Sequence, residues 1–189
     1  SKNHFELLHK KIYESDFYFG TGASHSFIPD LYNKKKVLTN NIDFVQNGIS
    51  SSYNNVAVFK KIFCVKQKKI LPLEEVFFNE KLFFNKVSDL LKNKEIILIE
   101  NNSDEILNAL KYFLKNNDNK KNLSKLMMQY EDLRKDAITY YKKKNIRNFL
   151  MSCYETSQIT ILDEYLQNFL FNSKKLDEIS KNFVKSLDL

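Results

Sequence analysis

Apolar residues recur along the chain with two different spacings. In Asn3–Glu14, Phe5, Leu8 and Ile12 lie three to four positions apart, which marks one face of a helix and leaves His4, His9, Lys10 and Lys11 in water. Phe17–Phe19 is a short apolar run, and Gly20-Thr21-Gly22-Ala23-Ser24 ends it in a turn of small residues. Phe27, Ile28 and Leu31 then return to helical spacing, although Pro29 keeps that helix short. Val37-Leu38-Thr39 reads as a second buried strand. Strand, glycine turn, helix and strand make a βαβ unit, whose two strands run parallel.

Beyond this unit, Asn41–Asn55 is poor in apolar residues and holds Gly48 and Ser50-Ser51-Ser52, so it reads as a loop over the strand ends. Val56–Val65 is β-branched and extended around Lys60-Lys61. Pro72 precedes a helix start at Leu73-Glu74-Glu75-Val76, where the two acids suit the helix dipole. Ile96–Ile99, within Glu95–Glu100, is continuously apolar, as in a strand covered on both faces of a parallel sheet. Asn102 or Ser103 caps the next helix, whose stripe is Ile106, Leu107, Leu110, Phe113 and Leu114. From Asn119 the spacing is helical, ending in an amphipathic segment with Leu176, Ile179, Phe183 and Leu187 on one face. The expected fold is α/β: a Rossmann-like parallel sheet flanked by helices, with a helical C-terminal region. Residues 1–118 form the sheet domain and 119–189 pack on it.

Composition narrows this picture. The 189 residues carry a net charge of +7, but only Arg134 and Arg147 among the 30 basic residues are arginine, the residue that bidentate phosphate and base recognition favours. Scattered lysines therefore do not argue for nucleic acid. Cys64 and Cys153 are isolated, which suits a reducing cytoplasm and offers no zinc or disulfide framework. There is no Asp-x-Asp, no Walker-type Gly-Lys-Ser/Thr, no Gly-x-Ser-x-Gly and no clustered His/Cys/carboxylate set, so a metal-dependent reaction is disfavoured. No run approaches the ~20 apolar residues of a membrane span.

The candidate chemistry lies at the carboxyl ends of the first strands, where open α/β sheets bind ligands. Backbone amides of Gly20–Ser24 at a helix start can hold an anion, with Thr21 and Ser24 adding hydroxyls and the glycines keeping side chains out of the way. His25 beside this turn is a candidate proton donor or imidazolium contact. Asn40 at the end of the second strand can donate to or accept from a ligand. Either Lys60 or Lys61 can reach an anion as a point charge.

Three stretches, FYFGTGASHSFIPDLYNKKKVLTNNIDF, VAVFKKIFCVKQKKILPLEEVF and IILIENNSDEILNALKYFL, together resemble the donor side of bacterial surface-polysaccharide glycosyltransferases of the two-Rossmann-domain type, over roughly Phe17 to Leu114. The resemblance implies that Gly20, Thr21, Gly22, Ala23 and Ser24 bind the diphosphate of a nucleotide-sugar, with Asn40, Lys60 and Glu100 as further donor-binding residues. It implies no cofactor beyond that donor, a cytoplasmic reaction and a glycan acceptor held by an absent N-terminal half, so that the isolated chain is inactive. The last helix would cross to that half or touch the inner face of a membrane. The alternative expectation is a non-catalytic Rossmann-like interaction module in polysaccharide assembly.

Overall fold

The computed structural model describes residues 2–22, 24–42, 51–83, 92, 94–116, 124–146, 158–169 and 173–187. Helix α1 (Lys2–Glu14) leads into strand β1 (Phe17–Thr21), a 3-10 turn (Ser24–Phe27), helix α2 (Ile28–Leu31) and strand β2 (Lys35–Asn41). Strands β3 (Ser51–Phe59), β4 (Lys61–Cys64) and β5 (Lys69–Ile70) follow, then helices α3 (Leu73–Phe77) and α4 (Glu80–Phe83). Strand β6 (Ile96–Ile99) precedes helices α5 (Ser103–Lys115) and α6 (Lys125–Lys143), strand β7 (Gln158–Ile161) and helices α7 (Asp163–Phe169) and α8 (Ser173–Ser186).

The fold is α/β, built on a parallel sheet with helices around it. Its strand order is β1-β2-β3-β7, and every neighbouring pair is parallel. The C-terminal region is helical and also contributes β7, which completes the sheet that the first half begins. A second sheet, β5-β4-β6, is antiparallel. The sequence expectation for Ile96–Ile99 is therefore corrected: the run pairs antiparallel with β4, and each of its residues is only half-buried. A continuous apolar run cannot by itself distinguish a strand inside a parallel sheet from one at the edge of a small antiparallel sheet. The expected loop at 41–55 is also shorter. Ser51–Asn55 already belongs to β3, while 43–50 lies outside the described residues.

The two sheets share one extended segment. β3 and β4 are separated by Lys60 alone, whose N–H donates to the Asn41 carbonyl at 2.7 Å, so the segment leaves the parallel sheet just past the end of β2. Around this segment the core closes: Phe59 and Phe63 are fully buried, with Tyr130 of α6 and Tyr165 of α7 ring-packed on Phe59. α8 spends its apolar face here too. Phe183 packs on Phe63 at 4.9 Å, Leu176 is buried, and the Ser180 hydroxyl accepts from the Ile70 N–H at 2.8 Å while donating to the Leu176 carbonyl. The side of α8 that the sequence offers to an absent half or a membrane thus covers this chain's own β5.

Two ion pairs, one with a buried lysine and one buried throughout, were not singled out by the pattern. Lys36 has no exposed surface; its ammonium donates to Asp30 at 2.6 Å and to the Ser26 carbonyl at 3.2 Å, tying β2 to the turn before it. Burial pushes the Asp30 carboxyl up, and Lys36 draws it part of the way back. Arg134 and Glu131 pair at 2.8 Å inside the core, so one of the chain's two arginines is used internally. His9 corrects the expectation of a surface residue. It lies under Phe5 with Nδ1 2.7 Å from the Tyr32 hydroxyl, because α1 packs on the α2 turn along this side.

Replacing Ser180 by Ala leaves the buried Ile70 N–H without its acceptor, and a loss of about 1–3 kcal/mol is expected. Urea unfolding should show a lower midpoint at an unchanged slope.

Candidate functional site

The carboxyl ends of β1, β2 and β3 lie side by side. Thr21 is level with Thr39, Gly20 with Leu38, and Asn41 with Phe59, so the glycine turn, Asn40 and Lys60 follow one another along a single edge. The fourth predicted residue, Glu100, arrives from the other sheet at the end of β6. Its carboxylate receives the Lys60 ammonium at 3.0 Å.

The residue that brings β6 to this edge is Asn101, which the sequence reading passed over. Its backbone N–H donates to the Asn40 side chain at 2.7 Å, and its own side-chain oxygen accepts from the Asn40 N–H at 2.6 Å. Its amide nitrogen also donates to the Phe59 carbonyl at 2.7 Å. Asn40 makes this exchange with φ at 50°, in the left-handed region that asparagine tolerates better than most residues. The only signal available in the sequence was an Asn-Asn pair at the end of each strand, at Asn40-Asn41 and Asn101-Asn102.

Beyond Asn101 the chain enters α5 through a capping box. Asn102 accepts from the Glu105 N–H at 2.9 Å, and Glu105 accepts from the Asn102 N–H at 3.0 Å. Glu105 also takes the Lys61 ammonium at 2.6 Å. The two candidate lysines differ in setting: Lys61 is held below the edge, against α5, and Lys60 stands at it. Lys60–Glu100 has one largely exposed partner, and pairs of this kind are worth about 0–1 kcal/mol. An arriving anion can therefore compete for Lys60 at little cost.

The glycine turn is built differently from the expectation. Gly20 lies within β1, and neither Gly20 nor Gly22 needs a left-handed φ. What they provide is room, which the chain's own side chains take: the Tyr18 ring leans over Gly20, and the Asn41 side chain fills the space beside Gly22. Ser24 and His25 begin the 3-10 turn, and Ala23 lies outside the described residues. The four-residue α2 follows with Pro29 near its start. So little helix makes only a weak dipole, and an anion at this turn would depend on local amides and on Lys60.

Beneath the edge, Lys60, Lys61, Leu71 and Tyr165 border a cavity of about 10 Å³, room for one water. The Tyr165 hydroxyl donates to the Phe59 carbonyl at 3.1 Å, and burial, with Glu105 and Tyr130 adding to it, pushes its pKa well above 10. Among the described residues, no group of three or more His, Cys, Asp or Glu could hold a metal ion, and no helix is long and apolar enough to cross a membrane. No family model, curated protein or solved structure matches the chain.

Two outcomes follow from this geometry. Asn101→Ala strands the Asn40 N–H and removes the two side-chain links, to Asn40 and to the Phe59 carbonyl, while the backbone N–H of residue 101 keeps its bond to Asn40, so a loss of about 1–3 kcal/mol is expected in chemical denaturation. Tyr165 holds its proton more tightly folded than unfolded, so its contribution is complete below about pH 10 and is lost as pH rises further. A Tyr165→Phe variant should lose less stability than the parent chain between about pH 10 and 11, measured by urea midpoints across that range.

Proposed function

We propose that the chain is the donor-binding part of a glycosyltransferase that takes a nucleotide-sugar and passes its sugar to a surface-glycan acceptor held by another domain. The observation that carries this reading is the convergence of the Gly20–Gly22 turn, Asn40, Lys60 and Glu100 at the carboxyl edge of three parallel strands. These residues are far apart in sequence, and that edge is where α/β sheets of this kind receive phosphorylated ligands. In this reading the diphosphate draws Lys60 away from Glu100. The lysine then stabilises the charge that develops on the departing nucleotide, while Glu100 is released to accept a ribose hydroxyl. Asn40 offers its remaining amide donors to the sugar or phosphate. Such a protein would work at the cytoplasmic side of a membrane.

A second reading is a non-catalytic interaction module in polysaccharide assembly. It draws support from the way the edge satisfies itself, with Asn40 joined to Asn101 and Asn41 filling the space beside Gly22.

Saturation-transfer NMR with UDP- and GDP-sugars on the whole chain separates the two. The donor-site reading expects transfer to the nucleotide protons and about tenfold weaker binding in Lys60→Ala, equivalent to about 1.4 kcal/mol. Absence of transfer from every donor tested would favour the module and reject the donor site.

A further inference from the structure

One side chain of β1 runs up to the carboxyl edge and leaves its polar atom unused there. Tyr18 and Gly20 are two positions apart in the strand and share a face, and the Tyr18 ring leans along the strand until it covers Gly20. A Cβ built on Gly20 would lie 2.6 Å from the Tyr18 hydroxyl oxygen and 2.9 Å from the ring carbon that bears it, so any side chain at position 20 would push the ring aside. The hydroxyl is thereby carried to the level of Gly20, next to the exposed Thr21 and Gly22.

The register of the sheet identifies the face. Tyr18 is level with Lys36 and Gly20 with Leu38, and paired residues of adjacent strands point to the same side. Lys36 reaches the Ser26 carbonyl and Asp30 on that side, so the Tyr18 hydroxyl lies on the face of the sheet that carries the 3-10 turn Ser24–Phe27. The ring itself is half-buried and packs on the hydrophobic core. No described residue shares a hydrogen bond with the hydroxyl, and it is not sealed from water. Burial of the ring raises its pKa above the ordinary tyrosine value, so at neutral pH it keeps its proton and offers a donor.

We propose that the Tyr18 hydroxyl is a further ligand-binding group of the carboxyl edge, donating a hydrogen bond to a phosphate oxygen of a diphosphate-bearing ligand, and that Gly20 serves the site by letting this ring lie over the strand. The inference rests on the donor-binding reading and adds a residue to that site. A packed ring holds its hydroxyl in place with little rotamer entropy left to lose, and a bond from a neutral donor to a charged acceptor is among the stronger kinds. Lys60 approaches from the β3 side and has to leave Glu100 before it can serve an anion, whereas Tyr18 has no bond to give up. The glycine thus acts through its neighbour: it holds a place for the phenol, and the phenol meets the ligand.

Isothermal titration calorimetry on the whole chain, with inorganic pyrophosphate, UDP-glucose and GDP-mannose as probes, is the test. Tyr18→Phe keeps the packed ring and removes only the hydroxyl, so affinity is expected to fall about tenfold while the thermal melt stays where it was. Gly20→Ala should weaken binding to a similar degree in the parent chain, and by little more in the Tyr18→Phe background, where there is no hydroxyl left to displace. If Tyr18→Phe binds like the parent while Lys60→Ala still weakens binding, the role of Tyr18 is overturned and the donor-binding reading stands. Equal losses from Gly20→Ala in both backgrounds overturn it too, because the glycine would then act on the ligand directly. A parent chain that binds none of the probes overturns the donor-binding reading and this inference together.

Discussion

One short exchange of hydrogen bonds holds the two halves of this structure in register. Asn40 and Asn101 each present a backbone N–H and a side-chain oxygen to the other, and Asn101 reaches on to the Phe59 carbonyl. These bonds link β2, β3 and the start of α5 at the point where the extended segment passes from one sheet to the other. Sheet ends normally leave polar backbone groups that must find water or a cap. Here one buried asparagine meets several of them at once. Lys60 and Glu100 stand at the rim because Asn101, the residue after Glu100, is fixed there.

The same constraint explains the partial openness of the edge. Asn101 is 7% exposed and its bonds are short, whereas Lys60–Glu100 is a single ion pair with an exposed acid. The inner layer sets the spacing of the strand ends and the outer layer is free to change partners. The Lys61–Glu105 pair belongs with the inner layer, since Glu105 also closes the cap of α5. Two adjacent lysines of similar sequence context therefore have different roles: one fastens a helix to a strand, and the other remains available at the rim.

Much of the fold was legible in the sequence because its elements carry their own periodicity. The βαβ opening, the capped helix at Ser103–Lys115 and the amphipathic last helix each have apolar stripes that local chemistry reinforces. The second sheet was not legible, because Ile96–Ile99 reads the same whichever way its neighbour runs. The candidate site was legible as residues and only partly as a place. Gly20, Asn40, Lys60 and Glu100 could each be picked out singly, but Asn101 has no catalytic character, and nothing before the structure showed that it aligns them. The glycines show the limit from the other side: their lack of side chains marks space in the sequence, and the structure shows the Tyr18 and Asn41 side chains lying in it. The buried Lys36 and its bond to Asp30 escaped notice because a lysine in a lysine-rich chain gives no sign of being enclosed.

The passage of one extended segment through both sheets has a mechanical consequence. β3 and β4 are consecutive, so tension on the small antiparallel sheet is transmitted along the backbone into the centre of the parallel one, with only Lys60 between them. β7, contributed from the far end of the chain, closes the other side of that same strand. The first and last parts of the chain are therefore interleaved at β3, and no single cut in the sequence would divide the molecule into two pieces that each keep a complete sheet and core.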